Sequence, residues 1–169
     1  MRLKKIFLFP ALFLTIGFWM AGCSATPKLY FGQPLAAYNS KTVERILPVI
    51  QNNFPGWHIE NPNQPKHDEG VRRWQAKTGN PMDYYYTEVL PTMRGGIFLP
   101  FPDGAWSAGA YSEAVFLEGL GVPIWKITHE GVIEKTTTEK MRLWDNGILS
   151  VKQTRERNKT SYDEWVKRQ

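Results

Sequence analysis

Apolar residues fall along this chain in short blocks of two different periods. After Lys28, Leu29-Tyr30-Phe31 closes on Gly32-Gln33-Pro34, the mark of a strand running into a tight loop. From Ser40, placed as an N-cap, Val43, Ile46, Leu47 and Ile50 recur at helical spacing as far as Asn52-Asn53, with Pro48 interrupting the pattern. Trp57 to Glu60 reads as a second strand, stopped by Asn61-Pro62. Residues 63–80 are polar, show only a brief helical stretch around Val71 to Ala76, and read as a mobile insertion. Met82 to Met93 fits a helix with Tyr85, Val89, Leu90 and Met93 inward, spoiled near its end by Pro91. Ile97 to Pro100 is an unbroken apolar run, as a strand covered on both faces requires.

A helix over Ala108 to Leu120 follows, then a strand over Pro123 to Ile127. Glu130-Gly131 predicts a turn, Val132-Ile133 a short strand, and Thr136 to Thr138 a polar connection. Ser150 with Gln153, and Ser161 with Glu164, have capping-box spacing and predict two C-terminal helices. Short apolar strands alternating with helices argue for βα units, hence an α/β domain with a mainly parallel sheet.

The first 22 residues depart from this rhythm. Arg2, Lys4 and Lys5 precede an apolar run from Ile6 to Met20, then small Ala21 and Gly22, then Cys23, the only cysteine of the chain. That order predicts a signal peptide over 1–22 rather than a spanning helix. Its ending resembles a bacterial lipobox, which implies cleavage before Cys23, acylation of that residue, a mature chain of 147 residues and a tether over 23–27. The resemblance places the domain in the cell envelope as a lipid-anchored protein. Ser24 after the lipidated residue resembles the signal for an outer membrane facing the periplasm, where the source has one.

Composition then narrows the chemistry. The formal charge is +5, but with the three leader cations set aside, 18 basic residues face 16 acidic ones, leaving +2. That balance gives no nucleic-acid footprint. With its one cysteine committed to the anchor, the chain keeps no thiol for redox, nucleophilic or disulfide work. His58, His67 and His129 have no ligand spacing, so no metal or cofactor is expected. Arg72 and Arg73 are a tempting phosphate contact within a solvated insertion, and Lys152, Arg155, Arg157 and Lys159, interleaved with Glu156, read as a solvated helix face. No Gly-x-Ser-x-Gly, Walker-type or dinucleotide motif is present.

Three segments together resemble the nucleoside 2-deoxyribosyltransferase superfamily: Leu29-Tyr30-Phe31-Gly32-Gln33-Pro34-Leu35; Ile59-Glu60-Asn61-Pro62; and Ile97 to Pro100 followed by Trp106-Ser107-Ala108-Gly109-Ala110-Tyr111-Ser112-Glu113 and Gly121-Val122-Pro123-Ile124. The resemblance covers about residues 28–128. It implies a flavodoxin-like three-layer domain with about five strands, followed at 129–169 by a short hairpin and helical extension. In that family a glutamate four residues after a glycine, on the helix behind the central strand, attacks the sugar anomeric carbon, so Glu113 is the implied nucleophile. Two family acids are replaced, by Ser107 and by the Arg94-Gly95-Gly96 stretch.

The chemistry suits such a group: cleaving an N-glycosidic bond means stabilising an oxocarbenium-like centre and protonating the leaving base, and a carboxylate beneath the sugar does the first covalently. A helix N-terminus is expected to keep Glu113 ionised. Gln33 and Pro34 at the first strand's end, Asn61 at the second's, and Trp106, Ser107 and Gly109 before the glutamate complete the expected binding set, Trp106 as a stacking surface and Gly109 as a point of close approach. The expected activity is N-glycosidase or nucleoside deoxyribosyl transfer on a nucleoside or nucleotide. The resemblance leaves a homo-oligomer open, and two readings stand beside the enzyme: a catalytically silent sensor of a nucleotide-derived ligand, and a structural envelope lipoprotein.

Overall fold

A computed structural model describes residues 25–143 and 145–169. The expected leader over 1–22 and the expected lipidation residue Cys23 lie outside the described residues. Five strands form one sheet in the order β2-β1-β3-β4-β5: β1 (Lys28–Gly32), β2 (His58–Glu60), β3 (Gly95–Phe98), β4 (Ile124–Ile127) and β5 (Ile133–Thr136). The first four are mutually parallel and β5 returns antiparallel against β4. This is the flavodoxin-like three-layer α/β arrangement.

Helix α1 (Lys41–Asn53) covers one face of the sheet. Ser40 caps it, its Oγ accepting from the Val43 amide at 3.1 Å, and Val43, Ile46 and Ile50 pack on Leu29, Phe31, Ile97 and Leu99. The helix runs through Pro48, which stands on its exposed side. The opposite face packs Tyr30 and Phe98 against α4 (Ala108–Gly119), through Ala110, Ala114 and Leu117. Gly96, beside Tyr30 in the register, leaves the space Leu117 occupies: a Cβ there would lie 2.6 Å from Leu117 Cδ1.

Four segments differ from the sequence reading. The expected mobile insertion contains a full helix, α2 (Lys66–Thr78), ended by Gly79 at φ 77°. Its buried contacts are His67 and Gly70, with Val71 and Trp74 half-buried, so the docking face carries little of the aliphatic periodicity that announces a helix. The expected helix from Met82 to Met93 is a chain of short turns instead: α3 (Met82–Tyr84), a wide turn over Tyr85–Val89 and a tight one over Leu90–Thr92, with Pro91 unable to continue the ladder. Strand β3 begins at Gly95, two residues before the apolar run. Thr136 to Thr138, expected as a polar connection, instead closes β5 and opens α5 (Thr138–Leu143), whose first amide and Thr138 hydroxyl are held by the Glu118 carboxylate.

Helices α6 (Val151–Arg157) and α7 (Tyr162–Val166) form as their capping residues predict. Helix α7 returns to the same core. Tyr162 is fully buried and donates to the Pro100 carbonyl at 2.6 Å, and Asp163 accepts from the Lys41 and Thr42 amides at the start of α1.

Candidate active site at the β1/β3 crevice

In an open α/β sheet, ligands bind outside the carboxyl ends of the strands where the strand order reverses. Here β1 is followed by β2 on one side and β3 is laid on the other, so the reversal falls between β1 and β3. Tyr30 and Gly32 of β1 share a face with Phe98 of β3, and α4 lies over that face.

Glu113 is carried in on the second turn of α4. The helix is started by Ser107, whose Oγ accepts from the Ala110 amide at 3.2 Å, while the Ala108 amide donates to Thr154 Oγ1 at 3.0 Å. The Glu113 side chain lies against β1, and a Cβ on Gly32 would stand 3.2 Å from Glu113 Oε2 and 2.3 Å from Phe98 Cδ1. Only glycine leaves room for the carboxyl and the ring together.

Glu113 is 8% exposed, and burial pushes its carboxyl from the usual 4.5 up to about 8, with the Tyr30 hydroxyl pulling the other way. The expectation of a carboxylate ionised by the helix N-terminus is therefore corrected. The side chain is buried against β1 with no compensating cation among the described residues, and this outweighs a dipole that fades beyond the first turn.

Tyrosines define the surroundings. Tyr30 is fully buried, makes no hydrogen bond of good geometry, yet stands close enough to Glu113 for each to shift the other's proton affinity. Burial, then Glu113, hold the Tyr30 hydroxyl well above the usual phenol range. Tyr38, from the loop after β1, is raised by burial first, then by Tyr85 and Glu113, and Tyr85 by burial first and then by Glu113. Tyr86 also senses the carboxyl and donates to Ser112 Oγ at 3.0 Å. The sequence reading did not single out Tyr30 or Tyr38, and read Tyr84-Tyr85-Tyr86 as half core and half surface. A tyrosine two residues before the closing glycine of a strand, and a tyrosine run after a polar helix, were the available signals.

The expected binding residues divide. Gln33 and Asn61 meet, Gln33 Nε2 donating to Asn61 Oδ1 at 2.9 Å, and Asn63's amide donates to the same oxygen at 3.0 Å. Because Asn61 accepts both, Gln33 turns its carbonyl elsewhere, and Gln33 Oε1 is buried without a donor. Pro34 is buried and leads into the short turn over Leu35–Ala37. At Gly109 a Cβ would meet no neighbour within 4 Å, so the packing of the chain does not itself call for glycine there. Ser107 is a helix cap. Trp106 is wholly buried and donates its indole N–H to Asp145 at 2.8 Å, an acceptor it shares with Lys126, so it offers no free face for stacking and belongs to the core.

A second polar cluster lies beneath α2. Glu60 Oε1 meets Lys66 Nζ and, at 3.0 Å, His67 Nε2, while His67 Nδ1 meets the Tyr84 hydroxyl at 3.1 Å. Burial raises Glu60, but Lys66 and His67 outweigh it and hold the carboxyl below its usual range. Burial lowers His67 further than Glu60 raises it. A cavity of about 220 Å³ adjoins this cluster, bounded also by Lys28 and Met93. Lys28 at the start of β1 and Met93 ahead of β3 border it, and Glu60, Lys66, His67 and Tyr84 of its lining already bond one another. Neither it nor a second cavity of about 490 Å³, lined by Ala25 to Lys28 with Thr92 and Arg94, includes Glu113 in its lining.

Among the described residues no group of three or more histidine, cysteine or acidic side chains is placed to hold a metal ion, and no helix is long and apolar enough to cross a membrane. Compared with known proteins, the chain matches no family model, no curated protein and no solved structure.

Proposed function

We propose that this protein cleaves or transfers the N-glycosidic bond of a nucleoside or nucleotide, with Glu113 as the nucleophile. The observation that carries the reading is the placement of one buried carboxyl at the carboxyl ends of β1 and β3, against Gly32 and beside an otherwise unbonded tyrosine hydroxyl. Ionised Glu113 attacks the anomeric carbon, the bond to the base breaks, and water or a second base resolves the glycosyl-enzyme. The Tyr30 hydroxyl is positioned to steady the carboxylate, and Gln33 Oε1 is an acceptor free for a sugar hydroxyl or an exocyclic amine.

A silent binding module is the second reading, and one observation favours it: a carboxyl titrating near 8 is mostly neutral at pH 7 and able to donate a hydrogen bond to a ligand. The two readings separate by chromatography of bases released from a panel of nucleosides and nucleotides by the full chain in detergent. Release by wild type, falling by about 10³-fold or more in Glu113→Gln, is the expected outcome. Melting-temperature shifts with ligand but no release would establish the binder.

A further inference from the structure

Strand register lines up basic side chains across the amino ends of the sheet. Lys28 of β1 is paired with His58 of β2, and on its other side stands Arg94, one step before the paired Leu29 and Gly95. The Arg94 amide donates to the Lys28 carbonyl at 2.8 Å, which fixes the two backbones side by side. Neighbours in a sheet project from the same face, at a strand spacing of about 5 Å. His58 turns to Glu60, 3.7 Å away, but neither Lys28 nor Arg94 makes an ion pair among the described residues. Residues 1–27 contain no aspartate or glutamate to serve them either. Like charges opposite one another on adjacent strands destabilise a sheet, and an anionic ligand relieves that repulsion.

The cavity of about 490 Å³ lies at this place, with Ala25, Thr26, Pro27, Lys28, Thr92 and Arg94 in its lining. Its only charged side chains are the two cations. The smaller cavity shares Lys28 and Thr92 with it, and the carboxylates there are engaged, Glu60 by Lys66 and His67, Glu88 by Arg73 and Trp74. We propose that the larger cavity binds a phosphate group, because Lys28 and Arg94 are held as neighbours in its wall with no acid of the described residues paired to either. Arg94 brings a planar fork suited to two phosphate oxygens, and Lys28 a point charge. Gly32, against which Glu113 lies, is four residues along β1 from Lys28, about 13 Å at the usual rise per residue. The phosphate site is therefore separate from the Glu113 crevice and goes beyond the N-glycosidase reading.

Two sources offer this group, a lipid head group and a soluble phosphomonoester, and the position of the cavity favours the first. Ala25 in its wall is two residues beyond Cys23, a span of about 7 Å at most. Acyl chains on Cys23, which the lipobox resemblance implies, would hold the cavity at the level of the lipid phosphates, where basic side chains gain from an anionic surface.

The test is protection of Lys28 from acetylation in the full chain, held in a neutral maltoside detergent and read by mass spectrometry. Exposed Lys152, which makes no ion pair among the described residues, is the internal standard. Phosphatidylglycerol mixed into the micelles is expected to slow Lys28 relative to Lys152 about tenfold when present at about ten times its Kd. Oleate at the same micelle charge and sodium chloride at matched ionic strength are expected not to, and Arg94→Gln, checked for a cooperative melt, is expected to lose the slowing. Slowing by sn-glycerol 3-phosphate but not by the lipid overturns the head-group source and leaves the phosphate site standing. Equal slowing by oleate, slowing that survives in Arg94→Gln, or no slowing by either phosphate compound overturns the site itself. Glu113 takes no part in the measurement, so each of these results leaves the N-glycosidase reading where it stands.

Discussion

At Glu113 a single methylene-linked carboxyl carries an electrical burden that shows in stability as well as chemistry. Its folded-state value of about 8 lies above the ordinary 4.5, so the folded protein keeps a proton that the unfolded chain has released. Stability from this residue is full below pH 4.5, declines as pH rises from there to about 8, and is level above. Replacing Glu113 by Gln removes the decline. The variant should melt several degrees above wild type at pH 9, on the order of a few kcal/mol, with the gap closing near pH 4; scanning calorimetry across that range measures it. A pH-independent difference would mean that the carboxyl is not held in the desolvated state described. Turnover should follow the opposite course, rising toward pH 8 as the nucleophile ionises. At this scale the family resemblance drew attention to Glu113, which the structure buries against β1, but nothing in the sequence announced its charge state. That depends on Tyr30 and on the bare backbone of Gly32, which no local pattern connects to a residue eighty positions away.

Helices were legible where their buried face was aliphatic or their first residue was a cap. Helices α1, α4, α6 and α7 satisfy one condition or both. Helix α2 satisfies neither, since it docks through His67 and through Gly70, above which the Tyr84 ring lies so close that a Cβ would stand 2.3 Å from its Cε2. Tyr84 cannot easily move, because its hydroxyl is tied to His67, which is tied in turn to Glu60. Alanine at position 70 should therefore destabilise the protein by about 1–3 kcal/mol despite alanine's better helix propensity, read as a shift in the urea midpoint. A neutral or stabilising result would show that α2 is not seated on Tyr84. Strand β3 was misplaced for a related reason: Gly95 and Gly96 carry no hydrophobic signal, yet they are the residues that let Leu29, Trp125 and Leu117 close over the central strand.

Across the whole molecule, the division expected at residue 128 does not mark a break in the core. Strand β5 completes the sheet, Met141 packs with Tyr30 and Phe98, and Tyr162 packs with Leu29 and Phe31. Ile148 pairs with Trp106 across a parallel bridge, and Asp163 caps α1. These are contacts over long sequence separations, and capping-box spacing announces a helix without saying where it lands. A chain ending at Thr128 should lose the cooperative thermal transition that the full chain shows, since truncating even one buried side chain such as Met141 costs about 2–5 kcal/mol. Circular dichroism melts of the two chains decide it, and a cooperative transition in the shorter one would restore 28–128 as a self-sufficient unit.

The two margins of the sheet carry a consequence for how copies of this protein meet. On one margin β2 is only three residues long, with exposed His58 and buried, ion-paired Glu60; on the other, β5 turns Glu134 and Lys135 to solvent. A neighbouring chain seeking to extend the ladder finds too short a template on one side and a charged one on the other. Copies crowded together at high local concentration would collide through helix surfaces and loops, and stay separate molecules instead of stacking into a continuous sheet.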